Sequence, residues 1–211
     1  MESYMNRISN TGIVPVVKIL EKEDAYPLAK ALLNGGIDVI EVTYRSEHAT
    51  SAIQTISKEL PDMLVGAGTV LSVEQAKEAV QAGAKFIITP GFNTKVVQWC
   101  LNHDVEVYPG VSTASEVEMA LSMGLTQLKF FPAESSGGAK KLKDLSAPYA
   151  NVHFMPTGGI NTKNMHDYLS LPNVEAIGGS FMLPNDLVVA KDWNGIEALS
   201  RSAIKSLLDF Q

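Results

Sequence analysis

Two ionisable residues sit where strand patterning leaves room for apolar ones: Lys129 in TQLKFFPAE and Glu41 in IDVIEVTYR. Side chains along a strand alternate between its faces. Leu128 and Phe130 therefore share one face, with Gln127, Lys129 and Phe131 on the other; Ile40, Val42 and Tyr44 lie opposite Val39, Glu41 and Thr43. A lysine turned away from water is disfavoured as an ammonium, and its free amine is a nucleophile toward a carbonyl carbon. A carboxylate between Ile40 and Val42 needs a partner or a task. Together they could form an imine with a carbonyl compound and move the protons this requires. The bland alternatives are a lysine that snorkels to the rim and an ion pair serving structure only, but a buried pair stabilises poorly because desolvation offsets most of its attraction.

Arg45 lies just past the Glu41 segment, and Thr69 ends the next apolar run. A guanidinium fork beside a hydroxyl suits a carboxylate, although a loop arginine serves equally well as a solvated surface charge. Two Gly-Gly turns, Pro156-Thr157-Gly158-Gly159-Ile160 and Ile177-Gly178-Gly179-Ser180, allow backbone N–H groups to approach a phosphate closely. His48, His103, His153 and His166 show no metal-ligand spacing, and Cys100 has no second cysteine to pair with, so no metal is expected.

The elements that must position these residues repeat one pattern: a short β-branched run, an amphipathic stretch, then a small-residue turn. Strands are predicted at Ile13–Val17, Ile37–Thr43, Met63–Ala67, Lys85–Thr89, Val105–Pro109, Gln127–Phe131, Val152–Pro156 and Val174–Gly178. Helices are predicted near 23–34, 46–59, 73–82, 94–103, 114–123, 136–146, 162–170 and 195–209, with Ser72, Asn93, Thr113 and Asn161 as N-caps and Glu116 completing a capping box. Glycine after several helices, as at Gly35-Gly36, Gly83 and Gly124, accepts the left-handed conformation that closes a helix. This alternation predicts an α/β chain, a (β/α)₈ TIM barrel over 1–211 with a short N-terminal helical arm; an open doubly wound sheet fits the alternation less well. In such a barrel chemistry collects where strands end. The ends carry Lys18, then Glu41, Thr43 and Arg45, then Thr69, Thr89-Pro90-Gly91, Ser112-Thr113, Lys129, Thr157-Gly158-Gly159, and Gly179-Ser180.

Composition narrows the function classes. A chain of 211 residues with net charge −6 and no Lys/Arg cluster is not built for nucleic acid or an anionic membrane. No run of 18 apolar residues occurs and MESYMNRISN lacks a signal-peptide core, so a cytoplasmic protein acting on a small molecule is expected. The rim residues alone leave several readings open: an imine-forming enzyme, an epimerase or isomerase of sugar phosphates, a metal-dependent aldolase, or a silent phosphosugar-binding module.

EVTYRS, GAGTVL, ITPGF, PGVST, LKFFPAE, PTGGI and GGSF occur in this order. In these motifs, over nearly the whole chain from about residue 10, the sequence resembles the 2-keto-3-deoxy-6-phosphogluconate (KDPG) / 4-hydroxy-2-oxoglutarate aldolases of the Entner–Doudoroff pathway. That resemblance implies a class I aldolase without a cofactor, a Schiff-base lysine at Lys129 and an acid/base glutamate at Glu41. It also implies pyruvate-carboxylate contacts at Arg45 and Thr69, phosphate contacts at Gly158, Gly159, Gly179 and Ser180, further rim positions at Thr43, Pro90 and Thr157, and a homotrimer. Tyr44 stands where relatives often carry an aliphatic residue, and Lys18 where they carry a basic one. Whether KDPG, its galactonate epimer or 4-hydroxy-2-oxoglutarate is preferred stays open at this level.

Overall fold

The structure, a computed structural model, describes residues 3–209. A short helix α1 (Tyr4–Thr11) precedes the first strand. The strands follow as β1 (Ile13–Val17), β2 (Val39–Thr43), β3 (Leu64–Gly68), β4 (Phe86–Ile88), β5 (Glu106–Tyr108), β6 (Gly110–Val111), β7 (Gln127–Phe130), β8 (His153–Pro156) and β9 (Ile177–Gly179). Helices α2 (Ala25–Asn34), α3 (Ala49–Glu59), α4 (Val73–Ala82), α5 (Thr94–Asn102), α6 (Ala114–Ser122), α7 (Gly138–Ser146), α8 (Met165–Leu169), α9 (Asn185–Val189) and α10 (Trp193–Leu208) fill the connections.

All pairings are parallel, in the orders β5-β4-β3-β2-β1-β9 and β6-β7-β8. A bridge between Thr157 and Gly178 joins β8 to β9, and β5 runs on through Pro109 into β6, so the sheet closes into a (β/α)₈ barrel. The fifth strand, expected over Val105–Pro109, runs over Glu106–Tyr108, breaks at Pro109 because proline lacks the N–H a ladder needs, and resumes beyond the expected end as β6. Its carbonyl still serves: Lys129 N donates to Pro109 O at 3.0 Å, and Gly110 then pairs with Lys129.

Alternation sorts the side chains as the sequence pattern requires. Ile40, Val42, Leu128 and Phe130 pack outward with the helices in one large core cluster. Val14, Val39, Leu64, Phe86, Ile88, Tyr108 and Met155 fill the barrel, joined by Met5 and Ile8 of α1. Helix α1 therefore plugs the end of the barrel where the strands begin. Glu106 holds its first turn, accepting from Tyr4 N at 2.9 Å and Ser3 Oγ at 3.2 Å, and Arg7 Nε donates to Asp38 Oδ2 at 2.8 Å. Ile8 has no solvent exposure. Ile8→Ala should therefore lose about 2–5 kcal/mol, read as a lower urea midpoint. A loss below about 1 kcal/mol would mean that α1 is not part of the core.

The expected caps Ser72, Asn93 and Thr113 are in place, and Thr113 with Glu116 forms the capping box. Asn161 instead accepts from Lys163 N at 2.9 Å in a preceding turn, and Asn164 is the N-cap of the shortened α8. The eighth strand starts later than expected, at Ile177, with Val174 contributing only a bridge to Phe154. Helix α9 was not anticipated. It begins after Pro184, whose fixed φ suits a helix entrance, and its five residues carry too little periodicity to register in sequence.

Candidate active site

β2 and β7 are not neighbours in the barrel, yet their inward residues meet at its centre. Lys129 Nζ lies 3.1 Å from Glu41 Oε1 and 3.4 Å from Oε2, a contact between residues 88 positions apart. Glu41 is fully buried and Lys129 is 4% exposed. The Phe131 ring flanks the amine, with its centroid 5.3 Å from Nζ.

Space for the carboxylate comes from β3. A Cβ on Gly68 would stand 2.0 Å from Glu41 Oε1 and 2.4 Å from its Cγ, so only glycine admits this side chain. The next residue, Thr69, has φ 53°, a left-handed conformation that strains a β-branched residue by about 1–3 kcal/mol and is found mostly where surrounding structure enforces it for function. The strand ends of β2 and β3 are joined there by Tyr44 N donating to Gly68 O at 2.8 Å.

Along β2, Thr43 is buried and its Oγ1 donates to Val17 O at 2.7 Å while accepting from Arg45 Nε at 3.0 Å. This hydroxyl fixes the root of an exposed guanidinium whose outer nitrogens remain available. On the other side of Lys129, Thr157 N donates to Phe130 O at 2.9 Å. The Thr157 hydroxyl is buried and makes no hydrogen bond among the described residues, and it occupies the space a side chain on Gly178 would need. A buried hydroxyl without a protein partner is suited to a bound ligand. Pro90 packs its carbonyl against Gly110, the residue that pairs with Lys129.

Gly158 and Gly159 have φ of 105° and 82°. Their loop is stapled to the one after β7 by Ala133 N to Thr157 O at 2.8 Å and Glu134 N to Gly158 O at 3.1 Å. Glu134 lies under Gly159 and accepts from the buried Tyr168 hydroxyl. Gly179 adjoins the same loop at Ile160 O, and Ser180 is exposed beyond it. Sequence reasoning placed Gly178 in a turn open to phosphate but not against Thr157, and it assigned no role to Gly68, Phe131, Glu134 or Tyr168. Phe131 and Glu134 were visible in the FFPAE segment, whereas an inward glycine leaves no signature until its neighbour across the barrel is known.

A larger recess of about 800 Å³ opens at the opposite end of the barrel, between the start of α1 and residues such as Lys85, Glu106 and Gln127. Its most buried acid, Glu106, is committed to holding α1. Cys100 is buried on the outer side of the barrel, where burial raises its thiol pKa to about 12 and leaves it a poor nucleophile.

A family model described as KDPG and KHG aldolase matches residues 4–199. The 2-dehydro-3-deoxy-phosphogluconate aldolase of Treponema pallidum is 45% identical over 205 residues, covering 97% of this chain and 98% of that one. The KHG/KDPG aldolase of Escherichia coli K12 is 44% identical over 199 residues, covering 94% and 93%. Among solved structures, KDPG aldolase from Legionella pneumophila, with pyruvate captured at low pH as a covalent carbinolamine intermediate, superposes with a TM-score of 0.92 at 40% identity, covering 96% of this chain and 98% of that one. The Zymomonas mobilis enzyme with 3-phosphoglycerate superposes with a TM-score of 0.89 at 36% identity, covering 94% of each.

Proposed function

The chain belongs to the KDPG and KHG aldolase family, and from that premise we propose that it is an imine-forming aldolase that cleaves KDPG to pyruvate and glyceraldehyde 3-phosphate. 4-Hydroxy-2-oxoglutarate, cleaved to pyruvate and glyoxylate, is a second substrate of the same site. The observation that carries this reading is the buried Lys129 amine 3.1 Å from the Glu41 carboxylate at the strand-end side of the barrel.

In the proposed reaction Lys129 Nζ adds to the C2 ketone, and Glu41 assists loss of water from the resulting carbinolamine. The protonated imine is the electron sink. Glu41, directly or through a water, takes the C4 hydroxyl proton; the C3–C4 bond breaks, its electrons pass to the iminium, and an aldehyde leaves the pyruvate enamine. Protonation at C3 and hydrolysis return pyruvate and the free amine. Because the iminium performs the polarising step, the reaction calls for no metal. Arg45 and Thr69 hold the pyruvate carboxylate, the Gly158-Gly159 and Gly179-Ser180 turns hold the phosphate, and Thr157 offers its hydroxyl to the substrate between them. The working form is a homotrimer, as the resemblance implies, acting in the cytoplasm, as the composition suggests.

If Thr43 orients Arg45 for the carboxylate, Thr43→Val should raise KM roughly tenfold with kcat little changed. Steady-state kinetics on KDPG checks this; an unchanged KM would detach Arg45 from the carboxylate. Pyruvate release, followed with lactate dehydrogenase, tests the function as a whole on KDPG, its galactonate epimer and 4-hydroxy-2-oxoglutarate. KDPG is expected to give the highest kcat/KM, and no pyruvate from any of the three would overturn the proposal.

A further inference from the structure

The Gly158-Gly159 turn must be held if it is to serve an anion, because a glycine backbone has wide conformational freedom. Three successive carbonyls of the turn are engaged. Thr157 O and Gly158 O accept from Ala133 N and Glu134 N, backbone ties to the segment after β7. Gly159 O accepts from two side chains at the entrance of α8, Asn164 Nδ2 at 3.1 Å and Asn161 Nδ2 at 3.2 Å. Holding carbonyls on one side presents N–H groups on another. Successive N–H groups in such a turn form an anion-binding concavity, and among the described residues Gly159 N has no acceptor.

Bonds made elsewhere dictate how both amides face. Asn164 Oδ1 accepts from Asn161 N at 2.8 Å, and Asn161 Oδ1 accepts from Lys163 N at 2.9 Å. With each oxygen turned to an N–H, each amide nitrogen is left for the Gly159 carbonyl. Asn164 stands at the N-cap of α8 yet makes no cap hydrogen bond to that helix, so its side chain serves the loop. Glu134 closes the loop in from behind. Its Cγ lies 2.6 Å from where a Cβ on Gly159 would stand, and its carboxylate is fixed by the Tyr168 hydroxyl. Burial, with Glu134 beside it, raises the pKa of that hydroxyl and keeps it a donor.

We propose that Asn164 is a positioning residue for phosphorylated substrates: by holding the Gly159 carbonyl, with Asn161 as second donor, it fixes the N–H groups of the turn toward the phosphate ester. The inference rests on the aldolase reading above. Asn164 acts through Gly159 and not on the reacting atoms, so its loss weakens binding of a phosphorylated substrate and leaves the chemistry at Lys129 intact.

The test compares KDPG with its dephosphorylated counterpart, 2-keto-3-deoxygluconate, in the wild type, Asn164→Ala and Asn164→Asp. Losing one of the two hydrogen bonds to Gly159 O should raise the KM of Asn164→Ala for KDPG about 3- to 10-fold, with kcat within about twofold. Asn164→Asp keeps the bond from Asn161 N but turns an oxygen toward a carbonyl oxygen, and its KM should rise about 10- to 100-fold. Both variants should be inhibited by inorganic phosphate more weakly than the wild type, hold kcat/KM for 2-keto-3-deoxygluconate within about twofold, and form the pyruvate imine at the wild-type rate. An unchanged KM in Asn164→Ala overturns the assignment even if Asn164→Asp is impaired, since the added charge alone would account for that. An equal loss on both substrates also overturns it and leaves Asn164 a structural residue. Trapping pyruvate with borohydride separates the two levels: a labelled wild type whose Asn164 variants match it on KDPG refutes only Asn164, and an unlabelled wild type refutes the aldolase reading itself.

Discussion

Lys129→Ala is expected to show no covalent adduct with pyruvate and borohydride and no turnover above background, and also to unfold at lower denaturant concentration than the wild type. The first effect follows from removing the only proposed nucleophile. The second follows from burial. Glu41 has no exposure, and Lys129 Nζ is its ion-pair partner at 3.1 Å. Breaking a buried pair from one side strands the other charge, at a cost of about 3–5 kcal/mol. Adding Glu41→Gln to Lys129→Ala should therefore recover part of the lost stability, although it removes a second polar contact. Urea titrations of the two variants check this. A Lys129→Ala protein as stable as the wild type would show that the resting pair does not carry opposite charges.

Gly68→Ala is expected to leave the barrel folded and lower kcat/KM about 100- to 1,000-fold, within the range that a positioned acid/base contributes. The added methyl has nowhere to go but the carboxylate, 2.0 Å away, and a fully buried glutamate cannot retreat into solvent. Glu41 must then swing away from Lys129 and from any substrate bound there. Because the amine survives, the variant should still form some imine, only slowly, and Glu41→Gln should behave the same way. Kinetics with single-turnover imine trapping distinguishes slow proton transfer from loss of the nucleophile. Near-normal turnover in Gly68→Ala would remove Glu41 from the proton-transfer role, since the carboxylate could no longer be where the mechanism needs it.

Much of this site was legible from strand parity. The flanking pairs Leu128/Phe130 and Ile40/Val42 both pack outward, which forces Lys129 and Glu41 inward whatever else the chain does. Closing eight parallel strands then brings β2 and β7 face to face, a consequence of the repeat pattern and not of any local motif. What stayed hidden depended on partners distant in sequence. Gly68 reads as part of a turn until Glu41 is seen to occupy the space over it, and Gly178 does the same for Thr157. The continuation of the fifth strand beyond Pro109 and the short helix α9 were missed for local reasons: a proline reads as a strand end although its carbonyl still pairs with β7, and five helical residues carry little periodicity. The support of the Gly158-Gly159 loop by Glu134 and Tyr168 joins residues 34 apart, which patterning cannot connect.

The most direct test of the central claim is to incubate the protein with pyruvate and sodium borohydride, measure its intact mass and map the modified peptide. Reduction of a pyruvate imine on Lys129, with one adduct per chain and none in Lys129→Ala, is the predicted result. A folded protein that gains no adduct, or gains it on a different lysine, would contradict the account.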